Sequence, residues 1–303
     1  MKLPSIHQVR GTLRQMIAGA SIVLPREASI RTERWLRGYE DVKMLDGADG
    51  VIVSYGKSGR TWLRVMITRY FAHKHGLPDK QIMAFDEFHR LNPSIPILLF
   101  SHDNYINDYL GTDRKLDIYG KHKIVLLARD PRDTAVSWYF QWKHRMLKRK
   151  KVINRAPLED PGIFNFISGE AAGVPKIINF LNAWARDLKD FPHIMVVKYE
   201  DLRTNTKSEL GRILTFLGET PSEAELEDCA SYASIENMRR METENASRPM
   251  ASRRLKPGDS NDPSSFKVRR AKVGGWRDYL SDEEVTQIDA MVRERLSPVF
   301  NYS

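Results

Sequence analysis

A lysine between two glycines, an arginine at a helix start, a histidine after a strand and two adjacent loop arginines carry this chain's chemistry. Lys57 and Ser58 lie between Gly56 and Gly59, after the apolar run Val51-Ile-Val53. Trp62, Leu63, Met66, Ile67 and Tyr70 follow on one helical face. Strand, glycine-rich turn and helix present backbone N–H groups to a phosphate, and Lys57 adds a point charge. Arg129 opens Arg129-Asp-Pro-Arg-Asp-Thr-Ala-Val-Ser137 at another strand-to-helix junction. A guanidinium there can fork onto an anion, with a hydroxyl one to two turns into the helix beside it, or Asp130 and Asp133 can simply serve the helix start. His102 follows a second apolar run, and an imidazole with an ordinary pKa of about 6.5 suits proton removal from a hydroxyl. Arg269 and Arg270 offer a second anion clamp.

The loop does not fit the nucleoside triphosphatase pattern. Gly, four residues, then Gly-Lys-Ser/Thr would require glycine at Val51, and Gly50 stands one residue too early. Tyr55-Gly-Lys-Ser-Gly-Arg-Thr-Trp62 instead resembles Tyr-Pro-Lys-Ser-Gly-Thr-Thr-Trp, the phosphosulfate loop of cytosolic-type sulfotransferases. Gly56 replaces Pro and Arg60 replaces Thr. Arg129 to Ser137 is similar to the family's Arg-x-x-x-Asp-x-x-x-Ser. Arg269-Arg-Ala271, with Gly274 and Trp276, resembles Arg-Lys-Gly-x-x-Gly-Asp-Trp, with Ala271 for Gly and Gly275 for Asp. Tyr199-Glu-Asp-Leu202 resembles the same tetrapeptide after a core strand, and Ala233-Ser-Ile-Glu-Asn-Met238 resembles Thr-Ser-Phe-Glu-x-Met. Phe100-Ser-His102 keeps the histidine of Lys-Thr-His and lacks its lysine.

The chain thus resembles, over 51–276, a bacterial-like member of the sulfotransferases that use 3′-phosphoadenosine-5′-phosphosulfate (PAPS). The resemblance implies PAPS as co-substrate, held by Lys57, Ser58, Gly59, Arg60, Thr61 and Trp62. It puts Arg129, Ser137, Arg269, Arg270 and Ala271 on the 3′-phosphate, and Trp62, Tyr199 and Ser234 around adenine. A backbone N–H offered by Ala271 would need a negative φ there. His102 becomes the base, Lys57 the cation at the leaving phosphate, and Ser137 a group that modulates Lys57. No metal is called for. The acceptor is a small molecule or lipid bearing a hydroxyl or amine; Phe85, Phe88, Tyr105, Trp138, Tyr139 and Trp142 are candidates to line its pocket.

Two other readings stand beside it. An ATP- and Mg²⁺-dependent P-loop phosphotransferase would use the Ser58 hydroxyl after Lys57. A non-catalytic nucleic-acid-binding protein would fit a net charge of +9, although no known nucleic-acid module is found. The basic residues concentrate in 143–155 and 239–277, with a scatter through 10–37, where Arg10, Arg14, Arg34 and Arg37 face solvent or a peripheral anionic membrane surface.

The elements must bring these residues together. Apolar runs at 51–55, 96–100, 123–128 and 194–197 read as strands. Helices are expected at 61–75, from Pro131, and at 174–188, 208–217, 223–232 and 281–296, the last with a Ser281–Glu284 capping box. Strands apolar on both faces alternating with helices predict one α/β domain over 1–303: a parallel central sheet flanked by helices, a P-loop-like sulfotransferase fold. Ligands bind at the carboxyl edge of such sheets, where 55–62, 101–103, 129–137 and 198–201 fall. Residues 1–50 read as an N-terminal arm with helices at 7–16 and 31–39, and 239–268 as a mobile loop. One cysteine, Cys229, excludes an intrachain disulfide and suggests a reducing, cytoplasmic setting, and no run approaches the roughly 18 apolar residues of a membrane span. The family's dimer signature is not kept, which leaves the oligomeric state open.

Overall fold

The computed structural model describes residues 6–20, 24–78, 82–246 and 255–302. Its centre is a four-stranded sheet: β1 (Gly50–Val53), β2 (Leu98–Ser101), β3 (Lys123–Ala128) and β4 (Ile194–Lys198). The order is β2-β1-β3-β4 and every pairing is parallel, with Val51 opposite Leu99 on one side and Ile124 on the other. The helices are α1 (Ile6–Ala20), α2 (Arg26–Asp46), α3 (Arg60–Lys74), α4 (Ile106–Leu110), α5 (Lys115–Tyr119), α6 (Pro131–Arg145) and α7 (Lys148–Ile153). They continue as α8 (Ile163–Ser168), α9 (Val174–Ala185), α10 (Tyr199–Thr204), α11 (Thr206–Leu217), α12 (Glu223–Tyr232), α13 (Ile235–Ala246) and α14 (Asp282–Arg295).

Strand side chains alternate between two cores, as the period of two requires. Val51, Val53, Ile124 and Leu126 pack with Trp142 of α6, Ile178 and Trp184 of α9 and Ile288 of α14. Ile52, Val125 and Leu127 pack with Leu63, Ile67 and Phe71 of α3, Ile213 of α11 and Leu226 of α12. Crossovers from β1 and β3 therefore leave on opposite faces. A crevice opens between their carboxyl ends, the place where open parallel sheets bind ligands. The expected capping box of Ser281 with Glu284 forms, and Ser222 with Glu225 makes a second one.

Two stretches are more tied down than their composition suggests. Three of the four N-terminal-arm arginines are held in ion pairs. Arg14 pairs with Glu40 at 2.7 Å, Arg34 grips both carboxylate oxygens of Asp108, and Arg37 pairs with Glu33 at 2.6 Å. The first two pairs fasten α1 and α4 to α2, and the third lies within α2. The described part of 239–268 is not a free loop either. Residues 239–246 complete α13, and 255–268 wrap around one side chain. Arg145 donates to the carbonyls of Lys256 and Ser265, each at 2.6 Å, and Glu242 accepts from the N–H groups of Lys267 and Val268. The Pro-, Ser- and Asp-rich composition makes tight turns there, capped by Asp262. Residues 247–254 of that stretch lie outside the described residues.

Candidate active site

A cavity of about 660 Å³ fills the crevice. The turn from β1 into α3 forms its floor. Gly59 sits at φ 91° before α3, where a Cβ would lie 2.5 Å from the Tyr199 ring. No side chain caps α3, so the first N–H groups of the helix remain for a ligand. Lys57, in the left-handed region at φ 75°, lines the cavity with Gly59, Arg60, Thr61 and Trp62. Burial, reinforced by Lys267 and Arg145, holds its ammonium well below the ordinary range, with Glu242 opposing. Gly56 stands where the resemblance has proline, and the Trp138 ring fills the space. A Cβ there would meet Trp138 Cζ3 at 2.9 Å.

Arg129 follows β3. Its guanidinium donates to the Lys57 carbonyl at 2.8 Å, lies 4.3 Å over the Tyr199 ring and approaches Asp133 at 3.9 Å. Its Nε is buried with no hydrogen-bond partner. An orphaned guanidinium donor beside an uncapped helix start fits a phosphate group. Ser137 lines the same wall one and a half turns into α6. Asp133 reaches the other way and accepts from the N–H groups of Gly274, at 2.7 Å, and Trp276, at 3.1 Å. That clamp carries the segment of Arg269, Arg270 and Ala271 into the cavity wall. Arg269 donates to the Tyr279 hydroxyl and lies 3.8 Å over Phe140; Arg270 pairs with Asp278 at 2.5 Å. Ala271 has φ 53°, so the negative φ on which its backbone contact was premised is not found.

His102 ends the second strand's edge. Its Nδ1 lies 2.8 Å from the Ser54 carbonyl, which can only accept; Nδ1 therefore carries the proton and Nε2 keeps its lone pair. Burial, then the field of Arg60, hold the imidazole well below its ordinary pKa, against the Ser54 bond. Behind it Asp103 is locked by Lys115 at 2.6 Å and by the Tyr119 hydroxyl at 3.0 Å. His102, Lys57 and Arg129 thus line one cavity.

The sequence matches the sulfotransferase domain over residues 48–299. The chain belongs to the sulfotransferase family. With that membership comes the enzyme class, a PAPS-dependent sulfotransferase. Cytosolic sulfotransferase 10 of Arabidopsis thaliana is 26% identical over 275 residues, covering 82% of this chain and 78% of its own. Sulfotransferase 1B1 of Mus musculus is 26% identical over 262 residues, covering 82% and 83%. Among solved structures, retinol dehydratase with retinol and PAP, which is adenosine 3′,5′-bisphosphate, superposes with TM-score 0.60 at 17% identity, over 86% of this chain and 85% of that one. Mouse sulfotransferase SULT7A1 complexed with PAP gives 0.57 at 20% identity, over 84% and 89%. These likenesses establish the fold.

Within this sulfotransferase most expected site residues line one cavity, but not all. Ser58 is buried beneath the turn at 3% exposure. The Ser234 hydroxyl accepts from the Asn237 N–H, and its neighbours Ala233 and Ile235 face the cavity. Trp62 meets Tyr199 edge-on at 6.0 Å and anchors its indole N–H on the Ala233 carbonyl. Of the aromatic candidates for the acceptor side, Tyr105 and Trp138 line the cavity. Phe88, Tyr139 and Trp142 are core residues and Phe85 packs against the core; for Tyr139 and Trp142 the inward face of α6 aims them there. Lys267, Arg145 and Arg64 are cavity residues that motif reading missed. The signal for Arg145 and Lys267 was the basic bias of 143–155 and 239–277, which looks the same when it is solvated; Arg64, on α3, had none.

Proposed function

We propose that the enzyme transfers a sulfuryl group from PAPS to a hydroxyl or amine of a small-molecule acceptor, with His102 as general base. The observation that supports this best is the bond from His102 Nδ1 to the Ser54 carbonyl, which leaves Nε2 as a neutral acceptor facing the cavity. PAPS supplies a sulfuryl group joined to a phosphate leaving group. Lys57, the α3 N-terminus, Arg129, Ser137, Arg269 and Arg270 would hold its phosphates, and Trp62 and Tyr199 its base. His102 Nε2 takes the acceptor's proton as the acceptor atom bonds to sulfur and the bond from sulfur to the phosphate oxygen breaks. Lys57 then meets the charge left on that oxygen. Ser137, on the cavity wall, would tune Lys57. Positioning and electrostatics dominate such in-line transfers, as they do in phosphoryl transfer.

Neither a magnesium-dependent phosphotransferase nor a nucleic-acid binder draws support from a particular observation. No described helix is long and apolar enough to cross a membrane. A cytoplasmic site of action agrees with the names of the curated relatives. The test is transfer of label from ³⁵S-PAPS to a panel of hydroxyl and amine acceptors in excess EDTA. Label should appear in an acceptor without metal. Turnover that requires Mg²⁺ and ATP would overturn the assignment.

A further inference from the structure

The residue that follows His102 is held more firmly than a turn requires. β2 ends at Ser101, and the chain turns there to reach α4. Asp103 makes the turn at φ 53°, a left-handed conformation that residues with a side chain adopt uncommonly. On either side of it, His102, Asn104 and Tyr105 line the cavity. Asp103 turns the other way, and its carboxylate is almost fully buried.

Three groups fix that carboxylate and its backbone. Lys115 of α5 makes an ion pair with it at 2.6 Å, and both side chains are withdrawn from solvent. The hydroxyl of Tyr119, a fully buried residue, donates to it at 3.0 Å, and the Tyr119 ring lies 5.0 Å from the ring of Trp184 on α9. The Asp103 N–H donates to the Ser101 hydroxyl at 2.9 Å. As a stabilising device this arrangement is poor. Taking two charges out of water offsets most of their attraction, and an apolar pair of similar size often serves a fold as well. The left-handed turn adds strain, and strain of this kind gathers at sites where fixed geometry matters more than stability. Here it stands one residue from the candidate base. The imidazole has its own tether, the Ser54 carbonyl at 2.8 Å. One tether on the ring and one on the adjoining backbone together set the direction of Nε2.

We infer that Asp103 is a positioning residue for the general base: with Lys115 and Tyr119 it holds the turn that aims His102 Nε2 at the hydroxyl or amine of the acceptor. The inference rests on the sulfotransferase reading and extends it to groups that never touch substrate. Without the lock the turn relaxes and the imidazole leaves its buried setting. Burial and the positive fields of Arg60, Lys267 and Arg64 then no longer hold its pKa down.

The experiment uses the full chain saturated with adenosine 3′,5′-bisphosphate, as wild type, Asp103→Gly, Asp103→Asn and Tyr119→Phe. Glycine leaves the left-handed turn open to the chain and removes the carboxylate; asparagine tolerates the turn and keeps an oxygen for Tyr119. The first readout is the NMR titration of the His102 ring, assigned with His102→Ala. The second is ³⁵S transfer from PAPS to those compounds of the hydroxyl and amine panel that wild type labels; where it labels none, the ring titration decides. In Asp103→Gly the His102 titration should move up toward its ordinary value, and kcat should fall by about ten- to a hundred-fold, as for a misplaced catalytic group. Tyr119→Phe should show both effects more weakly, Asp103→Asn should recover part of the loss, and bisphosphate affinity should stay within about twofold throughout. A ring titration and kcat unchanged from wild type overturn the inference. So does a loss of bisphosphate affinity as large as the loss of kcat, which marks a structural role alone. Should Asp103→Gly not fold, Tyr119→Phe decides by the same readings. Full turnover in His102→Ala fails the base assignment instead, and wild-type protein that binds no bisphosphate fails the sulfotransferase reading, so the failures are told apart.

Discussion

Burial presses both His102 and Lys57 well below their ordinary pKa ranges in the folded chain. His102→Ala should lower kcat by about 10²–10⁴-fold while leaving bisphosphate affinity in place, since a general base contributes that much. Near-normal turnover at neutral pH would remove His102 from the mechanism. Its depressed pKa also means that activity should not fall on its account as pH drops through 6.5. The lysines make a second prediction. Lys267 titrates at about 7 against an ordinary 10.5, so at pH 8 it is mostly neutral in the folded protein. Across that window the unfolded chain holds a proton that the folded chain lacks; unfolding free energy therefore rises with pH from about 7 to 10.5 on this group's account. A bound anion raises both lysine pKa values. Adenosine 3′,5′-bisphosphate should consequently bind at pH 8 with net proton uptake, which calorimetry in buffers of different ionisation enthalpy measures. Lys267 should contribute progressively less to that uptake as pH falls through 7. Proton release at pH 8 would contradict this account.

The elements explain why these side chains meet. The β1–α3 turn works only with glycine at 59: φ is 91° and a Cβ would overlap Tyr199. Gly59→Ala should cost about 1–2 kcal/mol of backbone strain and push Tyr199 off Arg129, with a lower Tm and weaker bisphosphate binding. The C-terminal clamp is held by Asp133 rather than by its own residues. Asp133→Ala should weaken bisphosphate binding although Asp133 is an anion, a result opposite to simple removal of charge repulsion. Ala271 is an L-residue at φ 53°; Ala271→Gly should stabilise the fold by up to about 1 kcal/mol in urea unfolding, unless the added freedom of the unfolded chain offsets the relieved strain. Asp133 was legible only as the middle member of a motif. Its partners lie far along the chain, and no local pattern announces a carboxylate that serves another segment's backbone.

For the molecule as a whole, the four parallel strands and their flanking helices were legible because buried strands carry continuous apolar runs and glycines mark the turns between elements. The meeting of Arg129 and Lys57 at the cavity was legible because both stand where a strand gives way to a helix. What was hidden is tertiary. Charge bias does not tell a solvated arginine from Arg145, which organises 255–268 from inside. Nor does an aromatic residue's type tell Trp138, at the cavity, from Trp142, in the core one helical turn away. The central claim is that this cavity is built for a 3′-phosphorylated adenosine nucleotide, and titration calorimetry with adenosine 3′,5′-bisphosphate, adenosine 5′-phosphate and ATP tests it most directly. Wild-type protein should prefer the bisphosphate. Arg129→Ala should weaken it by about ten- to a hundred-fold, the equivalent of a charge-assisted hydrogen bond of roughly 1.5–3 kcal/mol, and barely change adenosine 5′-phosphate. Equal loss for both nucleotides, or a wild-type preference for ATP, would contradict the account.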